Sequence, residues 1–323
     1  MGAKENKYTM EDLKTMQAWP LGRKIQVTQT RIMEWYLKFN GQVYVSFSGG
    51  KDSTVLLDMA RRMFPDIPAV FIDTGLEYPE IRDFVKTIDN VTWLKPEMNF
   101  KKVITTYGYP LVSKEISNNI YYAKKNIEQG KITTRVQKLR GELKDNDGNS
   151  SRYNCDKWKS LLDAPFAVSS LCCDVMKKRP AHKYNKETGR KPIIATMAEE
   201  SRLRKMNWLH RGCNVFEGAH QSSQPMSFWT ENDVLEYLDK YNIEYASVYG
   251  DIVKDENNNY STTGCHRTGC VFCGYGCHLE KEPNRFQKLK ETHPKLWNYC
   301  MKPIDKGGLG MREVLEYINV KVE

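Results

Sequence analysis

Ser48-Gly49-Gly50-Lys51-Asp52-Ser53 sets two adjacent glycines, a cation, a carboxylate and two hydroxyls directly after the apolar run Val43-Tyr44-Val45-Ser46-Phe47. Consecutive glycines let neighbouring backbone N–H groups converge on one anion, a helix starting after them adds its positive end, and Lys51 adds a mobile charge. The chemistry this suits is the cradling of phosphate. The spacing is not the G-x-x-x-x-G-K-[ST] of Walker-type loops, and a bare Gly-Gly after a strand is an ordinary turn. The whole hexapeptide, with Ser46 before it, is what marks an anion site.

The cysteines are the second source of chemistry. There are nine: Cys172 and Cys173 are adjacent, and Cys265, Cys270, Cys273 and Cys277 are spaced C-x4-C-x2-C-x3-C. An odd number spread along a lysine-rich chain does not make a secreted disulfide framework; in a reducing compartment, clustered cysteines more often hold metal. The local group suits a zinc knuckle with His266 or His278, and C-x4-C-x2-C is also the plant-type ferredoxin spacing. Spacing alone favours zinc. The adjacent pair fits a simple zinc ribbon poorly, and two small buried side chains are its plain alternative.

These residues need elements to position them. Ile25, Ile32, Trp35, Tyr36 and Phe39 share one face of a helix over 24–39 that Asn40-Gly41 stops. A strand is expected at 42–47, then a helix from the loop to about residue 63. Ala69-Val70-Phe71-Ile72 reads as a second strand, Val91-Thr92-Trp93-Leu94 as a third, and Pro192-Ile193-Ile194-Ala195-Thr196 as a later one. Thr230-Glu231-Asn232-Asp233 is a capping box opening another helix. Strands alternating with helices predict an α/β fold, a doubly wound parallel sheet with ligands at the carboxyl ends of its strands. The domain reading is an N-terminal helical segment over 1–40, a nucleotide-binding α/β domain over 41–242 with a basic helical insertion at about 114–165, and a cysteine-rich, metal-binding module over 243–323.

Composition sets the outer bounds. A chain of 323 residues with 40% hydrophobic content can bury a sizeable core, and no apolar run approaches the roughly 18 residues that span a bilayer. The expectation is a cytoplasmic protein with no membrane partner. The net charge of +9 suits a phosphate-bearing partner, although basic surfaces often only solvate a protein.

The hexapeptide resembles the SGGKDS loop of PP-loop enzymes, which bind adenine nucleotides and split ATP between its α and β phosphates. Cys172-Cys173-Asp174-Val175-Met176-Lys177-Lys178-Arg179-Pro180 resembles the Cys-Cys-x-x-Arg-Lys-x-x-Pro element of adenylylsulfate reductases, and Gly269-Cys270-Val271-Phe272-Cys273 resembles their later Cys-x-x-Cys. Asp73-Thr74-Gly75, Glu200-Ser201 with Arg204, and Trp229 to Val234 are similar to elements of the broader phosphoadenylylsulfate (PAPS) reductase family, so that the likeness covers roughly residues 40–300. The resemblance implies a [4Fe-4S] cluster on Cys172, Cys173, Cys270 and Cys273, leaving Cys265 and Cys277 over. It implies a bound ATP, adenylylsulfate or PAPS contacted by Ser46, Ser48, Gly49, Gly50, Lys51, Asp52, Ser53, Asp73, Thr74, Gly75 and Arg204, with Mg2+ as a candidate companion ion. Asp52 and Lys177 are the candidate catalytic residues: Lys177 aligns with a lysine between cluster and substrate, where an ammonium offsets negative charge. Arg204 suits a phosphate clamp because a guanidinium grips two oxygens at once. Glu199 and Glu200 are assigned no acid-base role.

Departures from the family matter as much. Thiol-dependent reductases carry a nucleophilic cysteine in a C-terminal Glu-Cys-Gly-Leu-His element; this chain ends Asn319-Val320-Lys321-Val322-Glu323, and Cys300 is the nearest candidate. Met176 and Met197 stand where reductases tend to have arginines. The expectation is therefore an ATP-dependent sulfur transferase that adenylates its target and releases pyrophosphate, with nucleic acid as a candidate acceptor and a sulfur donor or thiol-reductant protein as partner. Residues 174–211 hold eleven Lys or Arg against four Asp or Glu, which suits a phosphate backbone or the nucleotide itself. Tyr121, Tyr122, Lys124 and Lys125 add an aromatic and basic mixture that a plain amphipathic helix would also give. The alternatives are a reductase of adenylylsulfate or PAPS giving sulfite, and a nucleotide-binding regulatory protein without turnover.

Overall fold

A computed structural model describes residues 6–218 and 221–323. The chain divides into two units: residues 1–73, 77–95 and 180–269 form the first, and residues 74–76, 96–179 and 270–323 the second. Among the described residues no helix is long and apolar enough to cross a membrane.

The first unit is built on a six-stranded sheet ordered 91–94, 69–72, 43–46, 191–194, 222–223, 214–215. Val45 pairs with Ala69 on one side and Ile193 on the other, and neighbouring strands are parallel except the last, where 214–215 runs antiparallel to 222–223. Val43, Tyr44 and Val45 are all buried, as a central strand covered on both faces requires. From 43–46 the chain builds outward through 69–72 to 91–94, then returns to the opposite side at 191–194. Strand order therefore reverses at 43–46, and ligands of such sheets bind beyond the carboxyl end at that switch point. The 48–53 loop occupies that end. The first helices belong to this unit: Leu13, Ile32 and Trp35 pack in one core with Phe228, Trp229 and Tyr237. The expected helix over 24–39 forms as Leu21–Lys38, and Asn40 and Gly41 reverse the chain with positive φ.

The second unit is mainly helical. The insertion folds as helices Lys114–Glu128 and Thr134–Arg140 with a 3-10 turn at Asp156–Leu162. Ile120, Ala123, Val136, Leu139 and Leu161 are buried. Gly274–Tyr275 pairs in parallel with Leu111–Val112, which ties the last fifty-odd residues to the insertion. The division thus differs from one drawn along the chain: residues 243–269 go with the sheet and 270–323 with the insertion. A ladder across more than 160 residues leaves no local trace in sequence.

Candidate functional site

The loop is locked by its own hydroxyls. Ser53 Oγ donates to the Gly50 carbonyl at 2.9 Å, so its lone pairs accept from the Ser48 amide at 3.1 Å and from Ser48 Oγ at 3.0 Å. Ser48 Oγ in turn accepts from the Gly50 amide at 3.3 Å. Gly49 has φ +71°, and a Cβ there would stand 2.7 Å from Val85 Cγ2 and 2.8 Å from Ile81 Cγ2. Only glycine meets both demands. Gly50 precedes helix Lys51–Met63 with no side-chain cap, which leaves first-turn amides for an anion.

Lys51 departs from the mobile charge expected of it. Its Nζ donates to the His266 carbonyl at 2.6 Å and pairs with Glu231 at 2.8 Å, and its side chain is 5% exposed. Its amide donates to the Tyr249 hydroxyl at 3.4 Å, and that hydroxyl meets Thr268 Oγ1 at 2.5 Å. Asp52 Oδ1 is buried with no hydrogen-bond partner. Burial raises the Asp52 carboxyl above the ordinary carboxylate range and Glu231 adds to this, while Lys51, Arg267 and Arg204 pull the other way. An orphaned carboxylate oxygen among three cations suits a ligand set of phosphates with a divalent ion.

The remaining sequence candidates are engaged by neighbours. Arg204 pairs with Glu200; burial lowers its pKa, as does Arg267, against the pull of Asp52. Glu200 also accepts from the Met197 amide, while Glu199 accepts from the Glu231 amide at 2.9 Å, so both carboxylates serve backbone. Asp73 is buried and accepts from Arg82 Nη2 at 2.9 Å. Ser46 closes its strand opposite Val70 and Ile194. Thr74 and Gly75 fall in the second unit; Thr74 Oγ1 accepts from the Leu76 amide at 3.2 Å, and Gly75 has φ +72° with open space where a Cβ would lie. Tyr249, Arg267 and Thr268 were not singled out from sequence, and His266, named there as a candidate zinc ligand, contributes its backbone carbonyl instead. The capping box located Glu231 at a helix start, but nothing local tied it to Lys51.

In the second unit Cys172, Cys173, Cys270 and Cys273 line one pocket together with Leu76, Phe100, Pro110, Met176 and Lys177. The Cys172 and Cys173 sulfurs are 4.0 Å apart. Sharing of the Cys172 proton holds Cys173 below the ordinary thiol range, and Lys114, Lys177 and Lys178 add to this against its burial. Cys172 is correspondingly pushed up. Burial pushes Cys273 up to about 11, against a hydrogen bond from the Tyr275 amide. Lys177 lies in the π-helical turn Asp174–Lys178 that follows the cysteine pair, a distortion frequent at functional sites.

Among the described residues no group of three or more His, Cys, Asp or Glu side chains could hold a metal ion. The cysteine-rich, metal-binding module expected over 243–323 is therefore not borne out by the described residues, and Cys265 belongs to the first unit. Cys277 is buried, with its thiol donating to the Gly274 carbonyl at 3.0 Å. His278 packs edge-on against Trp158. Cys172, Cys173, Cys270 and Cys273 nevertheless share one pocket with apolar walls and the Lys177 side chain, and the Tyr275 amide bonds to the Cys273 sulfur, a donor set whose chemistry is compatible with a thiolate-held cluster. Cys300 is completely buried and burial raises its pKa, so its thiol lacks the access and the ionisation of a nucleophile. Met176 and Met197 are buried, at 1% and 3% exposure.

Comparison with known proteins matches the part of the chain that holds the loop. The sequence model of the phosphoadenosine phosphosulfate reductase domain matches residues 42–149 and 122–274. An uncharacterized protein of Methanocaldococcus jannaschii is 23% identical over 281 residues, 85% of this chain and 51% of the relative, so the chain spans about half that relative's length. An adenosine 5'-phosphosulfate reductase of Staphylococcus epidermidis is 28% identical over 240 residues, 72% of this chain and 73% of the relative. A crystal structure of phosphoadenylyl-sulfate reductase from Candida auris, as a phosphate complex, is similar at 16% identity and a TM-score of 0.39, covering 79% of this chain and 99% of that one.

Proposed function

Since the chain belongs to the phosphoadenosine phosphosulfate reductase domain family, we propose that it is an ATP-dependent sulfur transferase whose 48–53 loop binds the nucleotide. The observation that carries this is the buried, unpartnered Asp52 oxygen beside Lys51, Arg204 and Arg267 at an uncapped helix start. Cations and amides suit a polyphosphate, and a lone carboxylate suits a Mg2+ ion that takes its other ligands from phosphate and water.

In this reading an acceptor oxygen attacks the α-phosphorus and the bond to the β-phosphate oxygen breaks, releasing pyrophosphate. A sulfur nucleophile then displaces AMP from the adenylated acceptor. Lys51 and Arg204 hold the phosphates, exchanging their present carboxylate partners for phosphate oxygens. Asp52 would hold Mg2+, which would neutralise the departing pyrophosphate. Cys172, Cys173, Cys270 and Cys273 would hold a [4Fe-4S] cluster, which when bound supplies electron-transfer chemistry. Lys177 would offset the negative charge of that thiolate-rich pocket, and a sulfur donor or thiol-reductant protein completes the cycle.

A second reading is reduction of adenylylsulfate or PAPS to sulfite, favoured by the likeness to relatives named as adenosine 5'-phosphosulfate reductases. The burial of Cys300, Met176 and Met197 counts against it, since none offers a nucleophile or a cation to sulfate. Anaerobically purified protein given ATP, an acceptor and a sulfur donor should release pyrophosphate in step with AMP. Sulfite from adenylylsulfate and a thiol, with no pyrophosphate from ATP, selects the reductase; tight ATP binding with neither product selects a regulatory protein.

A further inference from the structure

The helical insertion carries exposed chemistry that neither the loop nor the cysteines use. Tyr122 is 39% exposed and Tyr153 58%. Each ring already has cations against it: Arg135 lies 5.1 Å from the Tyr122 centroid, and Lys138 and Arg152 lie 5.4 and 5.0 Å from that of Tyr153. Tyr121, with Lys125 at 4.4 Å, meets Tyr122 edge to face at 5.2 Å. Arg135 and Lys138 stand three residues apart on helix Thr134–Arg140, hence on one face. Two contact groups, Lys125–Tyr121–Tyr122–Arg135 and Lys138–Tyr153–Arg152, therefore meet at that face and set three rings and four cations along one strip.

Two features separate this strip from a merely solvated basic face. Among the described residues Lys125, Arg135, Lys138 and Arg152 each lie against a tyrosine ring and form no ion pair with a carboxylate. Its positive charge is thus left for a partner. Exposed rings also cost free energy in water unless something covers them, and rings braced by cations lose little freedom when a flat partner stacks on them. Charges spread along a strip suit a chain of phosphates rather than one, and rings between them suit unpaired bases, whose faces a duplex hides.

We propose that this strip binds a single-stranded nucleic acid, with phosphates on the four cations and bases on Tyr122 and Tyr153. The inference rests on the transferase reading and deepens it by naming the class of acceptor.

The test is fluorescence anisotropy of the full chain with labelled oligothymidylate and oligouridylate of equal length, titrated with salt. Four phosphate contacts give a slope of log K against log salt of about −3, and the Arg135→Ala/Lys138→Ala double variant lowers its magnitude by about 1.4. Tyr122→Ala/Tyr153→Ala weakens binding by roughly tenfold or more at unchanged slope, and the corresponding Phe pair restores it because stacking needs only the ring. Circular dichroism of each variant confirms that these exposed changes leave the fold intact. Equal or tighter binding of duplex, no response to either double variant, or loss of the same residues' effect to phosphatidylserine vesicles would overturn the proposal. Pyrophosphate release from ATP, followed with a small thiol-accepting nucleoside in place of a strand, keeps the two readings apart. If it persists while strand binding fails, the surface is wrong and the transferase stands; strand binding without pyrophosphate release supports the surface and removes the adenylation chemistry.

Discussion

Replacing Gly49 by alanine tests whether the phosphate cradle is built as its geometry implies. The residue has φ +71°, where an alanine costs about 1–2 kcal/mol. Its new methyl would stand 2.7 Å from Val85 Cγ2 and 2.8 Å from Ile81 Cγ2, closer than carbon atoms approach. Val85 and Ile81 are 0% and 2% exposed and belong to the core, so neither can swing aside, and overpacking of this kind costs about 1–3 kcal/mol. The two terms act together, giving about 2–5 kcal/mol. At roughly 2–4 °C for each kcal/mol, the melting temperature falls by about 4–20 °C. Gly75→Ala is the internal control: its φ is +72° but the space around it is open, so only the backbone term applies. Thermal melts by circular dichroism, with and without ATP, and calorimetric ATP titration measure both outcomes. The chain could relieve the clash by moving the loop, and the loss would then show as weaker ATP binding instead. Gly49→Ala that melts no lower than Gly75→Ala and binds ATP as well as the parent would refute the reasoning.

Three further substitutions probe other parts of the structure. Lys24 is buried, its Nζ 2.5 Å from Asp233 and 2.7 Å from the Gln17 carbonyl, so Lys24→Met strands a buried carboxylate and should cost about 3–5 kcal/mol in urea unfolding; a loss under about 1 kcal/mol would show the pair to be dispensable. Asp52 keeps its proton in the folded state above the ordinary value of 3.8, so as pH rises from there the unfolded chain loses a proton that the native state retains, and stability falls. Asp52→Asn should flatten that decline, stabilise the nucleotide-free protein at neutral pH and weaken Mg2+-dependent ATP binding; pH profiles of melting that superimpose would contradict the assignment. Anaerobic iron analysis should find about four irons per chain in the parent and in Cys265→Ser and Cys277→Ser, and a clear loss in Cys273→Ser. Stoichiometric zinc, or equal loss in Cys277→Ser, would sink the ligand assignment.

The first four sheet strands were legible because each is a short apolar run bounded by turn residues, and 69–72 and 91–94 form where that pattern puts them. The capping box at Thr230 also forms, with its side chain accepting from the Asp233 amide and the Asp233 carboxylate answering the cap. The two-residue strands 214–215 and 222–223 escaped, being too short for any periodicity and held only by their neighbours. Likewise the hairpin 252–254 and 260–262 falls in the first unit through packing that no short-range pattern carries.

What the sequence by itself determined is local chemistry: a glycine pair that follows a buried strand and opens a helix, and cysteines that cluster along the chain. These follow from backbone sterics and short-range hydrogen bonds, which act within a few residues. Tertiary structure alone decided which cations and carboxylates surround Asp52, and that Lys51 is held by a carbonyl 215 residues away. It alone brought Cys172 and Cys173 to one pocket with Cys270 and Cys273. Such pairings are set by how distant apolar faces pack, and no residue's immediate neighbours in sequence carry that information.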